Sequence, residues 1–247
     1  MDKNKILGIT IPLQSKQDIL EKIIKYLSSP KGFFHIISLN PENLVIAQKN
    51  QKFKKIVETA QIKIIDGAGI VMAGRLLNLS LKRLTGVDLM KDLINLASSM
   101  RLRVLLIGGQ PNLALELSDC YNEQFPKAKF KGLYGLRNVK NPVFDEEVRI
   151  FSIVRSFKPQ LTFVAFGSPD QELWIERHRK ELSGSVVMGV GGAFNYLSNS
   201  VRRAPLFMQK LGLEWLFRLI NQPWRSKRQL RLLKFIYLVF KEKWIKN

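Results

Sequence analysis

Short apolar runs alternate with segments of helical periodicity through the first three-quarters of the chain. Each run is followed by glycine or polar residues, which is typical of a buried strand that ends at a loop. Five such runs predict strands, at residues 33–37, 62–65, 104–107, 161–166 and 186–188. Buried strands that alternate with helices predict a Rossmann-like α/β fold, in which helices cover both faces of a mostly parallel sheet.

The segments between these runs are predicted to form helices. Apolar residues recur at helical spacing over residues 42–49, 112–125 and 172–180. A further apolar run lies near the N-terminus, at residues 6–13. Because it contains Pro12 and lacks a cleavage site of small residues, we expect a first strand there rather than a signal peptide.

The predicted strands end in polar or glycine residues, whereas their central residues are apolar. These end residues are Ser38, Asn40, Asp66, Gly108, Gly109, Gly167 and residues 189–192. Ligands of open parallel sheets bind beyond the carboxyl ends of the strands. The sequence therefore predicts a cleft that is built from the loops after four or five strands.

The glycine turn at residues 189–192 lies between a predicted strand and a predicted helix. Such a turn allows backbone N–H groups to approach a diphosphate. The spacing is not G-x-G-x-x-G, since the sixth position is Asn195, and a tight turn without a ligand is an equal alternative. Gly108 and Gly109 give a weaker form of the same signal.

Asp66 is the candidate for chemistry that stands out most clearly. It follows a buried apolar strand and precedes Gly67-Ala68-Gly69, so its carboxylate is predicted to face the cleft. A partly buried carboxylate in a cleft suits a general base. The residues alone favour the other role, a cap at the N-terminus of the next helix, which is common for Asp.

Composition sets the limits of the function. A chain of 247 residues fits one sizeable α/β domain with an appendage. The single cysteine, Cys120, excludes an internal disulfide framework, and the two histidines lie far apart without cysteine partners. The sequence predicts no metal site. The net charge of +20 predicts a polyanionic partner, such as an anionic membrane, a nucleic acid or a phosphorylated substrate.

Charge and tryptophan concentrate near the C-terminus. Residues 201–247 hold twelve Lys or Arg against two acids, and three of the four tryptophans. The strand and helix alternation stops after Ser198. We therefore divide the chain into an α/β domain, residues 1–198, and a helical appendage, residues 199–247. Helices are predicted over residues 206–220 and from residue 227 to the end.

The second of these helices has an apolar stripe. Its members are Leu232, Phe235, Ile236, Val239 and Phe240, and the basic residues predicted for the opposite side are Lys227, Arg231, Lys234 and Lys241. Interleaved basic, aromatic and aliphatic residues favour a helix on an anionic membrane surface. Packing on the core and binding of nucleic acid are the alternatives. The longest apolar run, at residues 235–240, is far shorter than the roughly 20 residues that span a bilayer.

Taken in order, seven segments resemble the WecG/TagA/CpsF glycosyltransferases of bacterial surface-polysaccharide and teichoic-acid synthesis. The resemblance covers nearly the whole chain. The segments are Ser38-Leu39-Asn40-Pro41-Glu42, Asp66-Gly67-Ala68-Gly69, Arg83-Leu84-Thr85-Gly86-Val87-Asp88, Gly167-Ser168-Pro169-Asp170-Gln171-Glu172, residues 189–194, Arg203-Ala204-Pro205, and Gly212-Leu213-Glu214-Trp215 with Arg218, Pro223, Arg225 and Arg228.

The resemblance implies an inverting glycosyltransferase that needs neither a metal ion nor a cofactor. Such enzymes transfer N-acetylmannosamine or its uronic acid from a UDP-sugar donor to N-acetylglucosamine on undecaprenyl diphosphate. It implies a cytoplasmic protein that is peripheral on the inner face of the cell membrane and does not bind nucleic acid. A homo-oligomer that covers the apolar stripe is a further hypothesis.

The resemblance also implies roles for individual residues. Asp66 matches the proposed general base, which reverses the preference for a helix cap. The positions that match or adjoin the substrate site are Ser38, Asn40, Arg83, Gly108, Gln171, Gly191, Gly192 and Asn195. Those expected to meet the diphosphate and the lipid are Arg218, Arg225 and Arg228. The alternative from a different class is a nucleic-acid-binding α/β protein without catalysis.

Overall fold

The computed structural model describes residues 4–198, 200–210, 212–221 and 226–246. Its strands are β1 Lys5–Ile6, β2 Ile9–Thr10, β3 Phe34–Leu39, β4 Ile62–Ile65, β5 Arg103–Gly108, β6 Lys129–Leu133, β7 Leu161–Ala165 and β8 Val186–Gly189. Its helices are α1 Lys16–Ser28, α2 Pro41–Ala47, α3 Gln51–Thr59, α4 Ala68–Leu76, α5 Gly86–Met100, α6 Leu113–Gln124, α7 Phe144–Phe157, α8 Asp170–Arg177, α9 Ala193–Leu197, α10 Leu206–Lys210, α11 Glu214–Asn221 and α12 Ser226–Lys246.

Six strands form one sheet in the order β4-β3-β8-β7-β5-β6, and every neighbouring pair is parallel. Helices cover both faces, so the predicted Rossmann-like α/β class is confirmed. All five strands predicted for the body of the domain belong to this sheet. Their carboxyl ends lie along one edge, which brings the polar and glycine residues that follow them together.

The predicted strands and the observed strands differ in two places. The run at residues 6–13 does not join the sheet, because it folds back as the antiparallel hairpin of β1 and β2. Its turn places Leu7 and Gly8 at positive φ, as a tight two-residue hairpin requires. The edge strand β6 was not predicted. Its sequence, Lys-Phe-Lys-Gly-Leu, alternates polar and apolar residues and lacks the continuous apolar run used to find the others.

The helices at residues 42–49, 112–125 and 172–180 are confirmed within a few residues as α2, α6 and α8. The single helix predicted at residues 206–220 is instead two helices, α10 and α11. Gly212 lies between them at a φ of +75°. A Cβ atom there would lie 2.4 Å from the Ala68 Cβ, so the chain bends where it passes closest to the start of α4.

Apolar side chains form a core on each face of the sheet. On one face, α1, α5 and α6 cover the strands. On the other, the β1–β2 hairpin, α2, α3 and α4 pack together, and α12 adds Phe235 and Val239, each only 2% exposed. The α12 helix therefore shares one core with the β1–β2 hairpin.

Polar contacts hold α12 in the same place. The Glu242 carboxylate accepts a hydrogen bond of 2.8 Å from the backbone N–H of Leu7. Nearer the start of the helix, Arg231 forms an ion pair with Glu42 of α2. The helix is therefore attached to the domain at both ends as well as through its apolar face.

The structure divides the stripe predicted for α12. Phe235 and Val239 are buried and Leu232 lines the cleft described below, but Ile236 and Phe240 are exposed. A second stripe, spaced by three or four residues, faces away from the core, and we call it the outer stripe. Its members are Leu230, Leu233, Tyr237, Phe240 and Trp244. One side of α12 thus packs on the core, and the opposite side exposes apolar side chains at the surface.

The basic residues predicted for the side opposite this stripe are exposed where the structure describes them, at Arg231, Lys234 and Lys241, and the side chain of Lys227 lies outside the described residues. Leu233 and Tyr237 were assigned to neither face, and they are 64% exposed. The exposed lysines Lys234 and Lys241 lie beside the outer stripe on the helix surface, since successive helical residues are separated by about 100°. Within the residues that the structure describes, no helix is long and apolar enough to span a membrane.

Candidate active site

A cleft of about 500 Å³ lies at the carboxyl edge of the sheet. The loops after β3, β4, β5, β7 and β8 form its walls, together with the segment before α5 and parts of α11 and α12. The structure brings together on these walls Ser38, Asn40, Asp66, Arg83, Gln171, Gly191, Gly192 and Asn195.

Gly108 lies behind the cleft, and Gly109 and Gln110 line it instead. Gly108 is buried at a φ of +88°, where a Cβ atom would lie 2.7 Å from the Phe166 ring. A glycine is required here by backbone conformation and by close packing. The sequence gives no sign of which of the two glycines reaches the surface.

Asp66 follows β4 and is half buried. Its backbone N–H donates to the Leu39 carbonyl, and its carboxylate accepts a hydrogen bond of 3.3 Å from the backbone N–H of Gly86. A Cβ atom on Gly86 would lie 3.5 Å from that carboxylate and 3.3 Å from the Ser38 hydroxyl. A hydroxyl and a carboxylate thus face one space above Gly86.

The helix-cap role of Asp66 is not what the structure shows. The N-cap of α4 is Gly67, at a φ of +101°, and it has no side-chain hydrogen bond. The carboxylate of Asp66 is directed across the cleft toward the start of α5 instead. A position open to the cleft suits proton transfer with a bound hydroxyl group.

Asn40 caps α2, since its side-chain oxygen accepts a hydrogen bond of 2.9 Å from the Asn43 N–H. Asn43, which the sequence did not single out, extends this connection. Its amide nitrogen donates to the Ser38 carbonyl, and its amide oxygen accepts from the Ser168 hydroxyl, both at 2.8 Å. Asn43 therefore joins the loop after β3 to the loop after β7.

Gln171 lies in the first turn of α8 and is almost wholly buried. Its amide oxygen accepts hydrogen bonds of 3.0 Å from the backbone N–H groups of both Gly167 and Gly191. Its amide nitrogen donates to the Glu172 carboxyl at 2.7 Å. Both polar atoms of this side chain are thus engaged within the protein.

Glu172 is the acid that is most deeply buried in the cleft wall, at 1% exposure. Burial raises the pKa of its carboxyl, and the charge of Asp170 raises it further. Hydrogen bonds from Gln171 and Ser168 act in the opposite direction. The folded protein therefore binds a proton at this site more tightly than the unfolded chain does.

We predict that Glu172→Gln changes how the stability depends on pH. Since the pKa is raised on folding, the wild-type carboxyl makes its full contribution to the free energy of unfolding below the unfolded pKa of about 4.3. This contribution is lost as pH rises through the folded pKa. Glutamine has no ionisable group at this position. The melting temperature of the variant, relative to that of wild type, is thus expected to be higher at pH 8 than at pH 4.

Thermal unfolding followed by circular dichroism at several pH values measures this difference. Glu123→Gln, on the exposed end of α6, is the matched control for removal of one carboxyl group. A difference between Glu172→Gln and wild type that is the same at pH 4 and at pH 8 would contradict the prediction.

Arg83 connects the cleft to the C-terminal helices. Its guanidinium donates to the Glu214 carboxylate at 2.8 Å and to the Gln209 carbonyl at 3.0 Å. Glu214, the first residue of α11, is buried. Charged hydrogen bonds of this kind are stronger than neutral ones. Gln209 of α10 and Glu214 of α11 thus contact a side chain that lines the cleft.

A second arginine extends this connection to α5. Arg203 donates to both carboxylate oxygens of Asp88, at 2.7 and 3.2 Å, and its Nε lies 3.7 Å from Glu214. Asp88 belongs to the first turn of α5, whose N-cap is Thr85. The two arginines and two acids therefore tie α11 to the segment that faces Asp66. We call these four residues the docking network.

The side chains of the three arginines that are predicted to bind the diphosphate and the lipid lie outside the described part of the structure. Arg218 lies on α11 and Arg228 on α12, but their side chains are outside the part of the structure that is described. Arg225 lies wholly outside the described residues. Of the described cleft residues, Arg83 is the one lysine or arginine, beside the acids Glu42, Asp66, Glu172 and Glu214.

Sequence comparisons place the chain among known proteins. Residues 4–247 match the glycosyl transferase WecG/TagA/CpsF family. A Bacillus subtilis strain 168 protein, N-acetylglucosaminyldiphosphoundecaprenol N-acetyl-beta-D-mannosaminyltransferase, is 32% identical over 93% of this chain and 87% of its own. A Bacillus spizizenii strain W23 protein of the same name is 31% identical over 87% of this chain and 82% of its own.

Proposed function

Because this chain belongs to the WecG/TagA/CpsF glycosyltransferase family, we propose that it transfers N-acetylmannosamine, or its uronic acid, from a UDP-linked donor. The proposed acceptor is N-acetylglucosamine carried on undecaprenyl diphosphate, and the product enters teichoic-acid or surface-polysaccharide synthesis. Two relatives whose names state this mannosaminyl transfer support the proposal. The observation that carries it is the Asp66 carboxylate beside the Ser38 hydroxyl in the cleft.

In the proposed reaction, Asp66 is the general base. It takes the proton of the acceptor 4-hydroxyl as that oxygen attacks the anomeric carbon of the donor sugar. The bond from the anomeric carbon to the diphosphate oxygen breaks, and its electron pair leaves with UDP. Attack from the side opposite the leaving group inverts the configuration at that carbon.

The leaving UDP develops negative charge, which must be stabilised in the transition state. We propose that the guanidinium of Arg83, which Glu214 and Gln209 hold at the cleft, contributes positive charge there, since guanidinium groups match phosphate oxygens well. The glycine loop at residues 189–192 also lines the cleft. We propose that Arg218, Arg225 and Arg228 supply further positive charge, so that no metal ion is needed.

The outer stripe of α12 supports a site of action at the membrane surface. A lipid-linked acceptor stays in the bilayer, so the cleft must reach the headgroup region. The α12 helix has five exposed apolar or aromatic side chains beside lysines, which is the composition typical of an interfacial helix. Each basic residue near an anionic surface adds roughly 1 kcal/mol. We therefore propose peripheral binding to the inner face of the cell membrane.

The alternative of a nucleic-acid-binding protein without catalysis explains the charge alone. It leaves the cleft and the outer stripe without a role. Binding to oligonucleotides that weakens steeply with salt would favour this alternative.

A panel of UDP-sugars tests the proposed function. Each donor is incubated with a lipid-diphosphate acceptor that ends in N-acetylglucosamine, and the released UDP is measured. We expect turnover with UDP-N-acetylmannosamine or its uronate, a product of inverted configuration by NMR, and the same rate in the presence of EDTA. Absence of UDP release with every donor would refute the transferase proposal. Loss of activity in EDTA that magnesium or manganese restores would refute metal independence.

A further inference from the structure

Two loops of the cleft are joined by a single side chain. Gly167 follows β7 and Gly191 follows β8, and these strands are neighbours in the sheet. Gln171 accepts the N–H of each glycine with one amide oxygen, at 3.0 Å in both cases. A carbonyl oxygen has two lone pairs, so this arrangement uses its full capacity.

The orientation of the Gln171 amide is determined by its surroundings. Its nitrogen donates to the Glu172 carboxyl at 2.7 Å. If the amide were reversed, its N–H₂ group would face two backbone donors, and its oxygen would face an acceptor. All three hydrogen bonds would then be lost in a buried site, where unpaired polar groups are costly. Glu172 therefore fixes which end of the amide meets the glycines.

The backbone around Gln171 is adapted to this contact. A Cβ atom at Gly189 would lie 2.6 Å from the Gln171 amide nitrogen, so only glycine leaves room for the side chain there. Gly167 and Gly191 have positive φ, at +84° and +51°. Their N–H groups point at Gln171 in a conformation that other residues rarely adopt.

The family resemblance places Gln171 beside the reacting sugars, whereas the geometry points to a different task. We infer that Gln171 is a positioning residue, which acts on the ligand through the loops at Gly167 and Gly191. It fixes the separation of these loops and so shapes the wall that receives the UDP part of the donor. The identity of this ligand rests on the proposed function, but the link between the loops does not.

Gln171→Met tests the link directly. Methionine keeps an unbranched side chain of similar length beside Gly189 but offers no comparable acceptor. We expect the backbone amides of Gly167 and Gly191 to exchange with solvent about tenfold faster by NMR, because each loses a buried hydrogen bond. The amide of Gly132 in β6 is the internal reference. Unchanged exchange at both cleft glycines would overturn the inference.

An exchange of the two side chains separates positioning from direct contact. In Gln171→Glu the new carboxylate faces the Glu172 carboxyl, and the two repel. In the double variant Gln171→Glu/Glu172→Gln, residue 171 still accepts from both glycines, and residue 172 donates to it. The hydrogen bond between the neighbours is thus restored with reversed direction, while the amide of residue 171 is gone.

We expect UDP to bind about tenfold more weakly to Gln171→Glu by calorimetry, with recovery in the double variant. In transfer assays the donor KM should rise and recover in parallel, while kcat changes less. Weak binding in both variants would show that the amide itself touches the ligand and would overturn the inference. The double variant is nearly isosteric with wild type, so it remains informative if Gln171→Met fails to fold.

The glycine exchange rates distinguish this inference from the proposed function. If Gln171→Met speeds exchange but wild type releases no UDP from any donor, the link between the loops stands and the transferase proposal fails. If wild type transfers sugar but Gln171→Met leaves both exchange and KM unchanged, the transferase proposal stands and the positioning role fails.

Discussion

Asp66→Asn is expected to lower the turnover of sugar transfer by about 10²- to 10⁴-fold, the usual contribution of a general base. The amide is nearly the same size as the carboxylate and can still accept a hydrogen bond from Gly86 N–H. It cannot take a proton from the acceptor hydroxyl. UDP binding and the melting temperature should therefore stay close to the wild-type values.

UDP release under single-turnover conditions measures this loss, and calorimetry with UDP measures donor-site integrity. Asp119→Asn, on the exposed face of α6, is the matched control, since it removes the same charge away from the cleft. A rate for Asp66→Asn within a few-fold of wild type would exclude Asp66 as the base. It would leave the membership of the family untouched.

The double variant Leu233→Glu/Tyr237→Glu is expected to release the protein from anionic vesicles. Each wild-type side chain contributes roughly 1.5 kcal/mol or more when it is buried in an apolar environment. Loss of both should weaken partitioning by about 10²-fold in a sedimentation assay with phosphatidylglycerol vesicles. Transfer to a lipid-linked acceptor in vesicles should fall, while transfer to a short-chain soluble acceptor is retained.

Ser152→Glu/Ser156→Glu is the control, because it adds two acids at the same helical spacing on the exposed side of α7. Phe235→Ala separates the two faces of α12, since its expected effect is a loss of about 3–5 kcal/mol of folding stability. Unchanged vesicle binding by the Leu233/Tyr237 variant would contradict a membrane role for the outer stripe. If light scattering then shows that only wild type self-associates, the stripe is a contact between copies of the chain.

The sheet could be predicted because its strands are buried on both faces. In the sequence such strands appear as almost continuous apolar runs, and the run at residues 161–166 is an example. The edge strand β6 keeps lysines at positions 129 and 131 on its less buried face, so the continuous apolar signal is missing there. The other edge strand, β4, is almost wholly apolar and could be predicted. The bend at Gly212 depends on the distance to Ala68, which no local pattern contains.

The candidate site was only partly predictable for a related reason. Residues at strand ends, such as Ser38 and Asp66, meet wherever parallel strands share an edge, so topology alone brings them together. Asn43 and Glu214 act through contacts with residues more than a hundred positions away. A single sequence gives no indication of such pairs, and Asn43, in the first turn of α2, has no distinguishing mark.

The docking network has a consequence for hybrid enzymes. Part of the cleft wall is made by α11 and α12, and Glu214 must meet Arg83 and Arg203 for that wall to close. In a hybrid whose residues 199–247 come from a relative, the residue at position 214 would come from the donor of the tail, whereas Arg83 would come from the recipient. Such hybrids should thus fold correctly only when the two residues can still form this ion pair.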